Sequence, residues 1–176
     1  MNNPFILFQL KPAPDLRTQE GDILPLDVLK ARYTKVQAAC HPDSFAMASE
    51  AQQKAASEMS SRLNQAYKML RDDLSRVKTW LALLGLEIEN QTTKPDMALF
   101  ELQMDLEERL AAVAAGDESQ KATLIQDIES IKAQALDWFV SLAQNTPDTI
   151  EDVEACLNQY SKLALSSRLE QRLYSM

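Results

Sequence analysis

The sequence predicts an all-α protein, an N-terminal helical hairpin followed by a C-terminal three-helix bundle. Three observations carry this reading. Apolar residues recur at helical spacing through most of the 176-residue chain. β-Branched and aromatic residues do not cluster with period two, and no Asn-Gly or Asp-Gly hairpin turn occurs. The apolar stripes are long, and the polar segments between them are short.

In chain order, Phe5-Ile6-Leu7-Phe8-Gln9-Leu10 is a short apolar opening that Lys11-Pro12-Ala13-Pro14 stops. Pro25, a residue favoured in the first helical turn, opens a helix that runs to Cys40. Leu26, Leu29, Tyr33, Val36 and Cys40 share one of its faces, and Pro42 ends it. The next helix spans Ser49 to Arg71 on a stripe of Ala56, Met59, Leu63, Ala66, Tyr67 and Leu70. Two such helices with a short connection pack antiparallel, which puts the loop His41–Ala48 at an exposed tip. A further helix from Ser75 to Leu84 carries Val77, Trp80, Leu81 and Leu84, with Gly85 at its end. The polar run Asn90-Gln91-Thr92-Thr93-Lys94-Pro95 then reads as a connector.

Three longer helices follow: Asp96–Ala115, ended by Gly116; Ser119–Ala143, ended before Pro147; and Asp148–Leu173, opened by the capping-box string Thr149-Ile150-Glu151-Asp152. The second carries Leu124, Ile128, Ile131, Ala135 and Leu142 as its stripe. Trp80 and Trp138 are read as core residues.

Composition removes several kinds of chemistry. Three glycines, with neither a Gly-x-Gly-x-x-Gly nor a Gly-x-x-x-x-Gly-Lys-[Ser/Thr] string, leave no phosphate-cradling loop. One His and two isolated cysteines, Cys40 and Cys156, cannot complete a tetrahedral zinc site. No metal or other cofactor is therefore expected. No stretch is long and apolar enough to span a membrane, and the first ten residues lack the basic and apolar regions of a secretion signal. The expectation is a cytoplasmic protein with reduced thiols and no membrane partner.

Charge is uneven along the chain. Residues 1–86 hold 11 Lys+Arg against 9 Asp+Glu, whereas residues 87–176 hold 7 against 17. The acidic second part repels phosphate, so nucleic acid is not an expected partner.

His41-Pro42-Asp43 is the most informative string. Proline restricts the residue before it to extended backbone, which turns His41 out of the helix at its end. Taken alone, the tripeptide is more simply read as a helix stop with a turn-forming Asp. Its setting adds meaning: the sole His lies between two amphipathic helices, and Lys30, Arg32 and Lys35 lie off the apolar face of the first. An enzyme using His41 as general base with Asp43 or Glu50 is the contrasting reading, but no pocket residues accompany that pair.

These features have the layout of a J-domain. His41-Pro42-Asp43 with Phe45, then Asn64-Gln65-Ala66-Tyr67-x-x-Leu70 and Leu74-x-Arg76-x-x-x-x-Leu81, resembles the HscB family of J-protein co-chaperones in iron–sulfur cluster assembly. The resemblance covers essentially the whole chain, with a J-domain at 1–75, a linking helix and connector at 76–95, and an acidic client-binding bundle at 96–176. It implies a protein that is not itself an enzyme. It implies binding to a DnaK-like chaperone (HscA), stimulation of its ATP hydrolysis by His41, Pro42 and Asp43 with Lys30, Arg32 and Lys35 steering, and delivery of the cluster scaffold protein (IscU). Ser44 and Cys40 stand where the family often has a lysine and an aromatic residue.

Helix Asp96–Ala115 is apolar on two sides. Leu99, Leu102, Leu106, Leu110 and Val113 form one stripe, and Met97, Phe100 and Met104 lie nearly opposite, beside Glu101, Asp105 and Glu108. Helical spacing alone leaves that second side open as core or as docking surface. The family resemblance implies that it binds the scaffold, with Phe100, Met104, Asp105 and Glu108 at similar positions and Met97 and Glu101 beside them. A J-domain protein or acidic helical adaptor serving another client is the alternative.

Overall fold

The computed structural model describes residues 3–18, 24–91, 96–145 and 153–175. Among the described residues it is all-α apart from one minimal ladder, and the chain divides into two compact units, Met1–Leu83 and Leu84–Met176.

In the first unit, α1 (Pro4–Leu7) starts on Asn3, whose side chain accepts a hydrogen bond from the Phe5 N–H at 3.0 Å. Gln9 adopts a φ of 55°, reversing the chain into β1 (Leu10–Lys11), which pairs antiparallel with β2 (Arg17–Thr18). No strand was expected here, because two residues are too few to display a period of two. The ladder and α1 bury Phe5, Phe8, Leu10 and Leu16, and α1 packs on α3.

Helix α2 (Leu26–Ala39) has Pro25 at its N-cap, one position before the first turn where the sequence placed it. Its expected stripe narrows. Leu29 is buried, Tyr33 and Cys40 are half-buried, and Leu26 and Val36 are exposed. The helix meets its neighbours along a thin line: Tyr33 stacks on Tyr67 at 4.2 Å between ring centroids, and its hydroxyl donates to Asn64 Oδ1 at 2.8 Å. Gln37 also reaches the Asn64 oxygen, at 3.5 Å. Advancing along α2 from 33 to 37 moves the partner back along α3 from 67 to 64, so the two helices run antiparallel.

Helix α3 (Glu50–Arg71) opens on a capping box between Ser49 and Gln52. Ala56, Leu63, Ala66 and Leu70 are buried as expected, but the exposed Met59 gives up its core place to its neighbour Ser60. Helix α4 (Asp73–Leu83) begins two residues earlier than expected, because Asp72 accepts the Ser75 N–H at 2.8 Å and nucleates the turn. Trp80, Val77 and Leu81 are buried, as is Arg76, only 5% exposed.

Arg76 binds three parts of the unit together. Its Nε donates to the Pro14 carbonyl at 2.9 Å, Nη1 donates to the Leu70 carbonyl at 2.7 Å, and Nη2 pairs with Asp73. Arg76→Met keeps the bulk but strands two carbonyls and is expected to cost about 2 kcal/mol of stability. Urea unfolding checks this; a loss under ~0.5 kcal/mol, ordinary for a surface change, contradicts it.

The second unit is a bundle of α5 (Met97–Ala114), α6 (Lys121–Asn145) and α7 (Val153–Tyr174), each packed on the other two. Gly116, at φ 103°, ends α5 in the left-handed conformation that glycine adopts without strain. A short 3-10 turn, Glu118–Gln120, leads into α6. Leu106, Leu110 and Val113 of α5 pack with Leu124 and Ile128 of α6 and Leu165, Leu169 and Leu173 of α7, with Leu99, Leu102 and Ile131 at the margin. Trp80 is buried, but Trp138 is only half-buried; its ring meets Phe139 edge-on at 5.1 Å, and Phe139 takes the core place. Pro147, the string at 149–152 and the connector's residues 92–95 lie outside the described residues.

Ion pairs link each pair of helices. Arg109 of α5 meets Asp127 of α6 at 2.7 Å, Lys132 of α6 meets Glu170 of α7 at 2.8 Å, and Glu107 of α5 accepts from Arg168 and Arg172 of α7. Such partly exposed pairs contribute little stability each, on the order of 0–1 kcal/mol. Their effect is to fix the rotation of the helices.

Candidate functional site

The string at 41–43 forms a built turn. His41 is extended (φ −64°, ψ 131°), as the following proline requires, and residues Pro42–Phe45 make a 3-10 turn that packs against α3. The His41 Nδ1 accepts the Asp43 N–H at 3.3 Å and lies 3.5 Å from its carboxylate. In the neutral ring this acceptor role leaves the proton on Nε2, which is then free to act as a donor. The side chains are 48% exposed for His41 and 91% for Asp43, so both are open to a partner.

The Tyr33–Asn64 contact sets α2 and α3 in a register where the first two turns or so of α3 overshoot the end of α2. The 3-10 turn also packs on α3. Beyond it, Gln53 donates through Nε2 to the carbonyls of both Ala46 and Ala48, at 3.1 Å each. Gln53 had no signature in the sequence; only the folded loop brings those carbonyls to it.

The basic residues of α2 do not form one cluster. Lys30 and Lys35 are exposed but about 140° apart around the helix axis. Lys35 lies about 6 Å along that axis from the helix end at Ala39, and Lys30 about 14 Å. Arg32 is half-buried and donates to the Phe8 carbonyl at 2.9 Å, which ties α2 to the segment after α1.

In the second unit, the six residues singled out on α5 share an arc of about 140°. Met97 is 64% exposed, and Phe100 and Met104 are each 56% exposed, so the second apolar side of this helix faces solvent. Glu101, Asp105 and Glu108 are exposed beside it. Their electrostatic states differ. Arg109 reaches Asp105 at 3.4 Å, and its hydrogen bond to Asp127, strengthened by both carboxylates, raises the guanidinium pKa still further. Glu101 and Glu108 have no ion-pair partner among the described residues. The helix start is anchored by Asp96, which accepts the Leu99 N–H at 3.1 Å and a hydrogen bond from the Asn158 amide of α7.

Among the described residues, no group of three His, Cys, Asp or Glu side chains is arranged to hold a metal ion. No described helix is long and apolar enough to cross a membrane.

No family model matches the chain. A co-chaperone protein HscB homolog of Shewanella amazonensis is 30% identical over 174 residues, covering 97% of this chain and 94% of the relative. Another, of Shewanella pealeana, is 34% identical over 130 residues, covering 72% of this chain and 70% of the relative. The solved structure of chaperone HscB from Vibrio cholerae matches with a TM-score of 0.78 over 98% of this chain and 96% of that one, at 24% identity, and so shares its fold. With a relative at that identity aligned along nearly its full length, and an all-α architecture in common with a solved HscB, the chain belongs to the HscB co-chaperone family.

Proposed function

We propose that this chain is a cytoplasmic co-chaperone that binds a DnaK-like ATPase (HscA), stimulates its ATP hydrolysis and brings it the iron–sulfur scaffold protein (IscU). In this reading residues 1–75 act as the J-domain, 76–95 as the linking helix and connector, and 96–176 as the client-binding bundle. The chain itself hydrolyses no ATP and needs no cofactor. The observation that carries the reading is the presentation of His41 and Asp43, ring and carboxylate outward on a turn fixed to α3, in a chain of the HscB family.

The mechanism follows from differential contact. The Asp43 carboxylate and the Nε2 edge of His41 make charge-assisted hydrogen bonds to the ATPase, and these favour hydrolysis only where its two conformations offer different partners. Lys35 and Lys30 contribute long-range attraction to an acidic surface; Arg32, held by the Phe8 carbonyl, contributes charge from a fixed position. On α5, Phe100, Met104 and Met97 provide the apolar contact with the scaffold, and Glu101, Asp105 and Glu108 engage cationic groups around it.

Affinity capture from the native cytoplasm, using this chain as bait, tests the two halves separately. Wild type is expected to retain both chaperone and scaffold, and Asp43→Asn to retain scaffold but release most of the chaperone. Retention of neither by wild type contradicts the proposal.

A further inference from the structure

We propose that Gln53 is a positioning residue for the His-Pro-Asp turn, its carboxamide acting as the clamp that holds the outgoing end of the loop to α3. This rests on the co-chaperone reading of His41 and Asp43 and adds a residue that no motif marks.

The geometry is specific. A carboxamide nitrogen carries two hydrogens, and Gln53 places one on each of two carbonyls, Ala46 and Ala48, at 3.1 Å. These carbonyls flank Met47, which is fully exposed and contributes no packing. Among the described residues no other side chain donates to either carbonyl. The segment's own bonds are the local Ala46 N–H to Asp43 and Ala48 N–H to Phe45 links, which define the turn but do not attach it to a helix.

The incoming end of the loop is fixed differently. Asn64, also on α3, accepts from Tyr33 and Gln37 on α2, and so fixes the helix that carries His41 outward. One helix therefore holds both ends of the turn, through Asn64 at the entry and Gln53 at the exit. With the exit released, residues 44–48 gain conformers, and the aim of His41 and Asp43 toward a bound ATPase spreads. The exposed charges that govern encounter are untouched, so the defect belongs to the productive complex and leaves binding alone.

The test measures stimulated ATP hydrolysis of the cognate DnaK-like chaperone against concentration of full-length protein, for wild type, Gln53→Glu, Gln53→Met and His41→Gln. Gln53→Glu points lone pairs at the two carbonyls, and Gln53→Met removes the donors without adding charge. Both are expected to lower maximal stimulation about three- to tenfold, with half-saturating concentration unchanged in the uncharged Gln53→Met and the thermal midpoint only slightly lowered, since both hydrogen bonds are solvent-exposed. Wild-type stimulation in both Gln53 variants, with His41→Gln inactive, overturns the clamp and leaves the co-chaperone reading standing. A defect in Gln53→Glu alone makes the effect one of charge and also overturns it, as does a shift in half-saturation at unchanged maximum. If His41→Gln stimulates like wild type, the clamp falls together with the reading on which it rests.

Discussion

A Phe100→Ser/Met104→Ser double variant is expected to bind the purified scaffold protein about 100-fold more weakly than wild type while keeping its thermal midpoint. The two side chains are 56% exposed each and lie outside the bundle's core, so their removal costs the folded state little. In a complex they would be the largest apolar groups on the α5 face, and burying a Phe or Met side chain is worth roughly 1.5–3 kcal/mol. Losing two neighbouring contacts, short of full burial and not additive, corresponds to about two decades in affinity. Calorimetric titration against the scaffold reads this directly. Wild-type affinity in the double variant moves the client site off this face.

The α5 face was legible because its two apolar sides are nearly opposite, so periodicity separated Leu106, Leu110 and Val113 from Phe100 and Met104 without knowledge of the neighbours. Which side was core was not legible from spacing, since a bundled helix can bury either or both. In α2 the apolar stripe is wider than the buried face. Leu26 and Val36 fall on the apolar stripe but stand exposed, because the contacts of this helix are a tyrosine stack, an asparagine and a backbone carbonyl. Periodicity measures how apolar a face is and says nothing of how wide a neighbour covers it.

Polar positioning was the least legible. Arg76 was visible as a motif position, yet its burial depends on carbonyls at Pro14 and Leu70, one of them 62 residues away. Arg32 read as one of three steering cations, and the folded chain gives its guanidinium a carbonyl partner 24 residues away. Asp105 read as one of the acids beside the apolar side, and the folded chain pairs its i,i+4 neighbour Arg109 more closely with Asp127 of α6. In each case one partner lies far along the chain, Pro14 for Arg76, Phe8 for Arg32 and Asp127 for Arg109, and local spacing carries no trace of it. The His-Pro-Asp turn was legible for the converse reason: proline at 42 constrains His41 locally, and the Asp43 N–H that the ring accepts is two residues away.

If His41 and Asp43 transmit activation to a chaperone ATPase, stimulation of that ATPase is sensitive to His41→Gln. Glutamine keeps a polar side chain on an exposed turn, so folding is unaffected. It loses the rigid ring that holds the Nε2 donor at a fixed distance and angle from Nδ1, which is bonded to the Asp43 N–H. Contacts made only in the hydrolysis-competent complex lower the maximum rate when removed. The measurement is single-turnover ATP hydrolysis by the cognate chaperone at saturating co-chaperone. The expected rate for His41→Gln is at least about tenfold below wild type and near the unstimulated rate, given the weight of charge-assisted contacts. Stimulation equal to wild type contradicts it.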